Sequence, residues 1–274
     1  MTNRELYFKY IDHDSPYINA NVIRAILAYV NEYKSMAELS YLFENECKNP
    51  ELFEELINQC INGLPYQYAI NSASFCGNDF FVDERVLIPR NETEELTQQV
   101  IELIDKNHLE NGSLIDVCCG SGCIGLSIKK MFPNLKTTLL DISSDAIDVA
   151  RYNAERLNCD CEFVQSNMFE NLNKKGFDIL VCNPPYIPSE DTIDELVLKN
   201  EPKLALLASP ETKFYEIVFK HLYEIMNKHF VAAFEIGEDM EEELTNIIKY
   251  QLPEIDFYFK KDIYGKQRFL FLVK

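Results

Sequence analysis

The chain has 274 residues, 47% of them apolar, enough to bury a sizeable core and too apolar for a disordered tail. It carries 45 Asp and Glu against 26 Lys and Arg, and a net charge of −19 repels phosphate backbones and favours a protein or small-molecule substrate over nucleic acid. No apolar run approaches the roughly 18 residues of a membrane span, and MTNRELYFKY lacks the apolar centre of a secretory leader, so a cytoplasmic protein without a membrane partner is expected.

Residues 1–73 read as a small helical domain, of the kind that serves as an adaptor or substrate-recognition module. Val22, Ile26, Tyr29, Val30 and Tyr33 recur at helical spacing. Ser35 and Glu38 form a capping-box pattern ahead of Leu39, Leu42 and Phe43. Asn49 and Pro50 start a further helix with an apolar face of Phe53, Leu56, Ile57, Cys60 and Ile61, and Gly63 stops it. Residues 74–83 then read as a hairpin turning at Gly77-Asn78, followed by a helix with Leu96, Val100, Leu103 and Ile104.

From about residue 113 strands and helices alternate: SLIDVCC, then CIGLSIKKMF as helix, KTTLLDI, then SDAIDVARYNAERL as helix, CEFVQ and FDILVC. A helix-rich stretch is expected through 229, then the strand FVAAFEI, an acidic helix, and IDFYFK and RFLFLVK as two final strands. Alternation implies an α/β fold with a mostly parallel sheet covered on both faces. The last two strands, joined by a short connection containing Gly265, must be antiparallel. A seven-stranded open sheet with one reversed strand near its edge follows. The nine cysteines are odd in number and include no Cys-x-x-Cys. They read as reduced thiols packed as small apolar groups, and no metal is expected.

Asp116, then Cys118, Cys119, Gly120, Ser121 and Gly122, lead from a buried strand through a glycine turn into a helix, where open α/β sheets bind ligands. Asp141 follows Gly122 by nineteen residues, at the next strand end, where a carboxylate can accept hydrogen bonds from both hydroxyls of a ribose. Together they point to an adenosine-type cofactor. An acid ending the first strand suits a ligand with ammonium and sulfonium groups better than a pyrophosphate. Gly120 and Gly122 equally fit a plain tight turn, and Asp141 equally fits a cap for the helix beginning near Ser144. Asn167 and Met168 end the third strand, placed to meet an adenine edge and face.

VCNPPYIP, residues 181–188, puts Asn183 at the carboxyl end of the fourth strand, beside the glycine loop. Pro184 and Pro185 have no N–H to donate and a fixed φ, so the loop presents carbonyl oxygens and the Asn183 side-chain oxygen as rigid acceptors, with Tyr186 as a flat wall. Such a site suits a planar NH₂ conjugated to a π system, whether a carboxamide or adenine. Two acceptors holding its hydrogens aim the lone pair at an electrophilic methyl.

The run Asn183-Pro184-Pro185-Tyr186, after a GSG loop and an acid at the second strand end, resembles the signature of S-adenosylmethionine-dependent amino methyltransferases. FCGNDFFVDERVLIPRNETEEL (75–96), GLPYQYAI (63–70), NEPKLALLAS (200–209) and FEIG (234–237) resemble the HemK/PrmC-type release-factor glutamine methyltransferases. The resemblance implies a Rossmann-like class I methyltransferase sheet over 74–274 behind a substrate-recognition domain over 1–73. It implies methyl transfer to the glutamine of the Gly-Gly-Gln motif of peptide-chain release factors. It also implies that Asp116, Cys118–Gly122 and Asp141 hold S-adenosylmethionine with Asn167 and Met168 beside the adenine. Asn183, which also borders the cofactor, would then orient the glutamine amide with the Pro184 carbonyl, Tyr186 would pack against it, and Arg90 would shape the entrance. Cys118 stands where the family carries a glycine, which a cysteine replaces freely only at negative φ. Asn71 also replaces a glycine, Asn167 an aspartate, Met168 an aromatic residue and Asn91 a proline. The residue reading leaves three alternatives: an adenine amino methyltransferase, which needs base flipping and a basic groove, a ribosomal-protein glutamine methyltransferase, and a silent adaptor for translation factors.

Overall fold

A computed structural model describes residues 1–274, which divide into two compact units. The first unit is Met1–Ser72 together with the distant segment Glu195–Asn200. Its helices are α1 (Asn3–Tyr10), α2 (Ala20–Val30), α3 (Pro50–Ile61) and α4 (Tyr66–Ala69). α3 forms as the sequence implies: Asn49 Oδ1 accepts from Leu52 N at 3.0 Å, and Gly63 leaves the helix at φ +93°. α1 opens on a capping box the sequence reading passed over, with Glu5 N on Thr2 Oγ1 and Thr2 N on the Glu5 carboxylate. The box expected at Ser35 does not form. The Glu38 carboxylate accepts from Lys34 N instead, and only a 3₁₀ turn, Glu38–Ser40, results. Leu6, Ile23, Ile26, Phe53 and Ile57 make a core belonging to this unit.

The second unit, Ala73–Asp194 with Glu201–Lys274, begins with a hairpin of β1 (Ala73–Phe75) and β2 (Asn78–Phe80). Its turn residues are Cys76 and Gly77, at φ +48° and +70°, one position earlier than expected, because Asn78 is already paired with Phe75. Both residues at positive φ fit a type I′ turn, whose twist matches that of a hairpin. After α5 (Asn91–Lys106) come β3 (Ser113–Val117), α6 (Cys123–Met131), β4 (Lys136–Asp141), α7 (Ser144–Leu157), β5 (Glu162–Gln165) and β6 (Phe177–Cys182). Then follow α8 (Glu195–Asn200, counted with the first unit), α9 (Lys213–Ile225), β7 (Met226–Glu235), α10 (Glu241–Gln251), β8 (Asp256–Lys261) and β9 (Gln267–Val273).

The seven strands are ordered β5-β4-β3-β6-β7-β9-β8, all parallel except β9, which runs against both neighbours. β7 begins at Met226, earlier than expected, since Met226 pairs with Phe177 across a bulge. Strand alternation divides the core. Ile179 and Val181 of β6 face α5, α6 and α7, while Leu180 and Cys182 face α9 and α10. The order of connections reverses between β3 and β6, so their carboxyl ends flank a crevice. No helix is long and apolar enough to cross a membrane, and all nine cysteines are free.

Candidate active site

The turn from β3 to α6 borders a cavity of about 350 Å³, lined by Cys118, Cys119, Gly120 and Ser121. Gly122 does not line it. It takes φ +79°, and a Cβ there would stand 2.9 Å from Leu126 and 3.0 Å from Leu139, so this glycine lets α6 close on β4. Cys118 sits at φ +60°, contrary to the negative φ that would make its place in a glycine position free. Reversal immediately after β3 needs a left-handed residue, which costs a side-chain-bearing residue roughly 1–2 kcal/mol. Asn71 is left-handed too, at φ +49°, a conformation that asparagine tolerates.

Asp141 lines the cavity at the end of β4 and anchors the loop. Its Oδ2 accepts from Gly120 N and its Oδ1 from Ser143 N, both at 2.9 Å. Burial raises its pKa and these amide bonds oppose the rise. Asp116 lies outside the cavity wall and is fully buried, with Oδ2 accepting from Gly125 N at 2.8 Å and Oδ1 without a partner. Burial pushes its pKa up to about 7, and the charge of Asp141 adds to the rise.

Asn167 and Met168 both line the cavity. Asn167 is exposed and its amide donates to Glu170 at 2.8 Å, whereas Met168 is buried at φ +47°. Asn183 and Pro185 line the same cavity; Pro184 and Tyr186 do not. The Pro184 carbonyl accepts no backbone hydrogen bond. The Tyr186 hydroxyl turns away from its expected place as a cavity wall and donates to Glu235 Oε1 at 3.2 Å. Beyond the motif, Ile187 N donates to Leu206 O and Ala208 N to Ile187 O, tying the proline turn to the 200–209 stretch. Arg90 lines the cavity and pairs with buried Glu201 at 2.5 Å, which also accepts from Ile88 N at 3.0 Å.

Three polar residues escaped the sequence reading. Thr93 of α5 lines the cavity, accepting from Asn183 Nδ2 at 3.2 Å and donating to Glu235 at 2.5 Å. Glu235 ends β7, almost wholly buried, and an acid closing an apolar strand was the signal available. Asn153 of α7 bonds both backbone groups of Phe81 and the Ser121 carbonyl, holding the segment after the hairpin against the glycine loop.

Residues 89–205 match the methyltransferase small domain. A solved methyltransferase from Pyrococcus furiosus superposes with a TM-score of 0.53 over 80% of this chain and 96% of its own, at 18% identity, a likeness of fold. The release factor glutamine methyltransferase of Bacillus cereus is 35% identical over 225 residues, 80% of either chain. That of Leptospira interrogans is 31% identical over 98% of this chain and 95% of its own. Identity at this level along nearly the whole length, with the Asn-Pro-Pro-Tyr turn and the glycine loop on one cavity, means that the chain belongs to the release factor glutamine methyltransferase family.

Proposed function

We propose that this protein methylates the side-chain amide nitrogen of a glutamine in a peptide-chain release factor, the glutamine of its Gly-Gly-Gln motif, using S-adenosylmethionine in the cytoplasm. The observation that carries the reading is that Asn183 shares one cavity with Asp141 and the glycine loop. The residues fit the cofactor. No atom lies within 4 Å of where a Gly120 Cβ would stand, and each oxygen of Asp141 keeps acceptor capacity beyond its one amide bond. Asp141 and the loop from Cys118 to Ser121 would hold it, with Gly122 closing that loop onto α6, Asn167 and Met168 beside its base and Asp116 acting through the loop it underlies. When bound, it supplies an electrophilic methyl group on a sulfonium.

Asn183 Oδ1 and the Pro184 carbonyl accept the two amide hydrogens of the glutamine. An amide nitrogen is a weak nucleophile because its lone pair is delocalised, and gripping both hydrogens pyramidalises it and aims the pair at the methyl. The same acceptors stabilise positive charge as it develops on nitrogen. The alkylated nitrogen is strongly acidic and loses its proton without a strong base. The first unit is assigned the recognition of the release factor.

Single-turnover transfer of labelled methyl to purified release factor tests the reading. Asn183→Ala is expected to slow it by about 100-fold or more, in line with loss of an oxyanion-type contact. A release factor lacking the glutamine and an oligonucleotide should both stay unlabelled; labelled adenine would overturn the assignment.

A further inference from the structure

Glutamine and asparagine amides each have a donor end and an acceptor end of nearly equal size, so a site that must accept hydrogen bonds has to prevent its own asparagine from flipping. Asn183 lies at the end of a chain of hydrogen bonds able to do this. Glu235 Oε1 accepts from the Tyr186 hydroxyl at 3.2 Å and Oε2 from the Thr93 hydroxyl at 2.5 Å. The Thr93 hydroxyl has one hydrogen and directs it at the carboxylate. Toward Asn183, 3.2 Å away, it can only accept, so the asparagine must present Nδ2 to it. Its Oδ1 is thereby left for another donor.

We propose that Thr93 and Glu235 are positioning residues that set the polarity of the Asn183 amide, so that its oxygen meets the glutamine NH₂; this rests on the reading given above. A flipped amide would set its oxygen against a Thr93 lone pair, repelled, and would present two hydrogens to a substrate that also brings hydrogens. The support is rigid. Thr93 is buried on α5, with its own carbonyl accepting from Thr97 Oγ1 at 2.8 Å. Glu235 is fixed at the end of β7, where its backbone carbonyl accepts from the Tyr215 hydroxyl at 2.7 Å. The charged groups that influence its carboxylate are Arg268 of β9, which favours ionisation, and Glu92 of α5, which opposes it. The direction of the chain depends on Glu235 being the acceptor; a protonated Glu235 can donate to Thr93 and release the Thr93 hydrogen toward Asn183.

The test compares Thr93→Val, which keeps the shape and removes the hydroxyl, with Thr93→Ser, which keeps the hydroxyl. Thr93→Val is expected to lower kcat for release-factor methylation by about 10- to 100-fold with KM nearly unchanged, and Thr93→Ser to recover most of that loss. Calorimetric affinity for S-adenosylhomocysteine should be the same in all three proteins. Independently of activity, the Asn183 side-chain amide resonance, assigned by its loss in Asn183→Ala, should exchange slowly with solvent in wild type and Thr93→Ser and rapidly in Thr93→Val. Wild-type kcat in Thr93→Val, or an unaltered amide resonance, overturns the proposal. If wild-type protein transfers no methyl to release factor, the substrate reading fails, while the resonance still decides whether the chain of bonds orients Asn183.

Discussion

Cys118 holds a left-handed backbone that glycine adopts without penalty. Cys118→Gly is therefore expected to stabilise the protein by about 0.5–1 kcal/mol, read as a higher urea midpoint, the backbone relief being partly offset by a more flexible unfolded chain. Asp116 acts in the opposite sense. Burial raises its folded pKa to about 7, above the unfolded value, so its contribution is intact below the unfolded pKa and is lost as pH rises toward 7. The loss is on the order of 4 kcal/mol. In the absence of ligand, the stability advantage of Asp116→Asn over wild type should grow from pH 4 to pH 8 in urea titrations, because the amide oxygen still accepts from Gly125 N. At Glu235 the hydrogen bond from Tyr186 lowers a pKa that burial raises. Tyr186→Phe should move the acid limb of the pH–rate profile to higher pH, because Glu235 then protonates earlier.

The β3–α6 turn is the element on which the cavity depends most. Gly122→Ala must strain a φ of +79° and press on Leu126 and Leu139, so a loss of about 2–3 kcal/mol is expected in denaturant unfolding, with weaker binding of S-adenosylhomocysteine. How far such elements can be read from sequence depends on whether their signals are local. Asn49, Pro50 and Gly63 delimit α3 through bonds within a few residues, and the near-continuous apolar run of β6 announces a strand buried on both faces. The hairpin was displaced by one residue because Cys76, an uncommon residue at positive φ, occupies the place where asparagine or aspartate usually signals the turn. The Ser35 box failed since Glu38 found a nearer amide, and β7 started early since pairing with Phe177 overrides the helical pattern. At the site, Asn183 and Asp141 were legible as residues at strand ends. Thr93 and the turn of the Tyr186 hydroxyl toward Glu235 were not, because Glu235 binds both from a strand far away in sequence.

At the scale of the molecule, each unit has hydrophobic contacts of its own, and the cavity is lined entirely by the second. Phe53→Ala removes a fully buried ring from the first unit, which should cost about 3–5 kcal/mol. S-adenosylhomocysteine binding is expected to survive while release-factor methylation falls sharply, a separation that calorimetry and methyl transfer measured on one preparation would reveal. The sheet imposes a different constraint. β9 lies between β7 and β8 although it follows β8 along the chain. During vectorial synthesis β8 consequently emerges with no mate, and the flank of β7 stays an open row of amides and carbonyls, the kind of edge that recruits other strands. Arg268 arrives on that late strand as well, so the electrostatic setting of Glu235 is completed only when the ribosome has nearly finished the domain it is making.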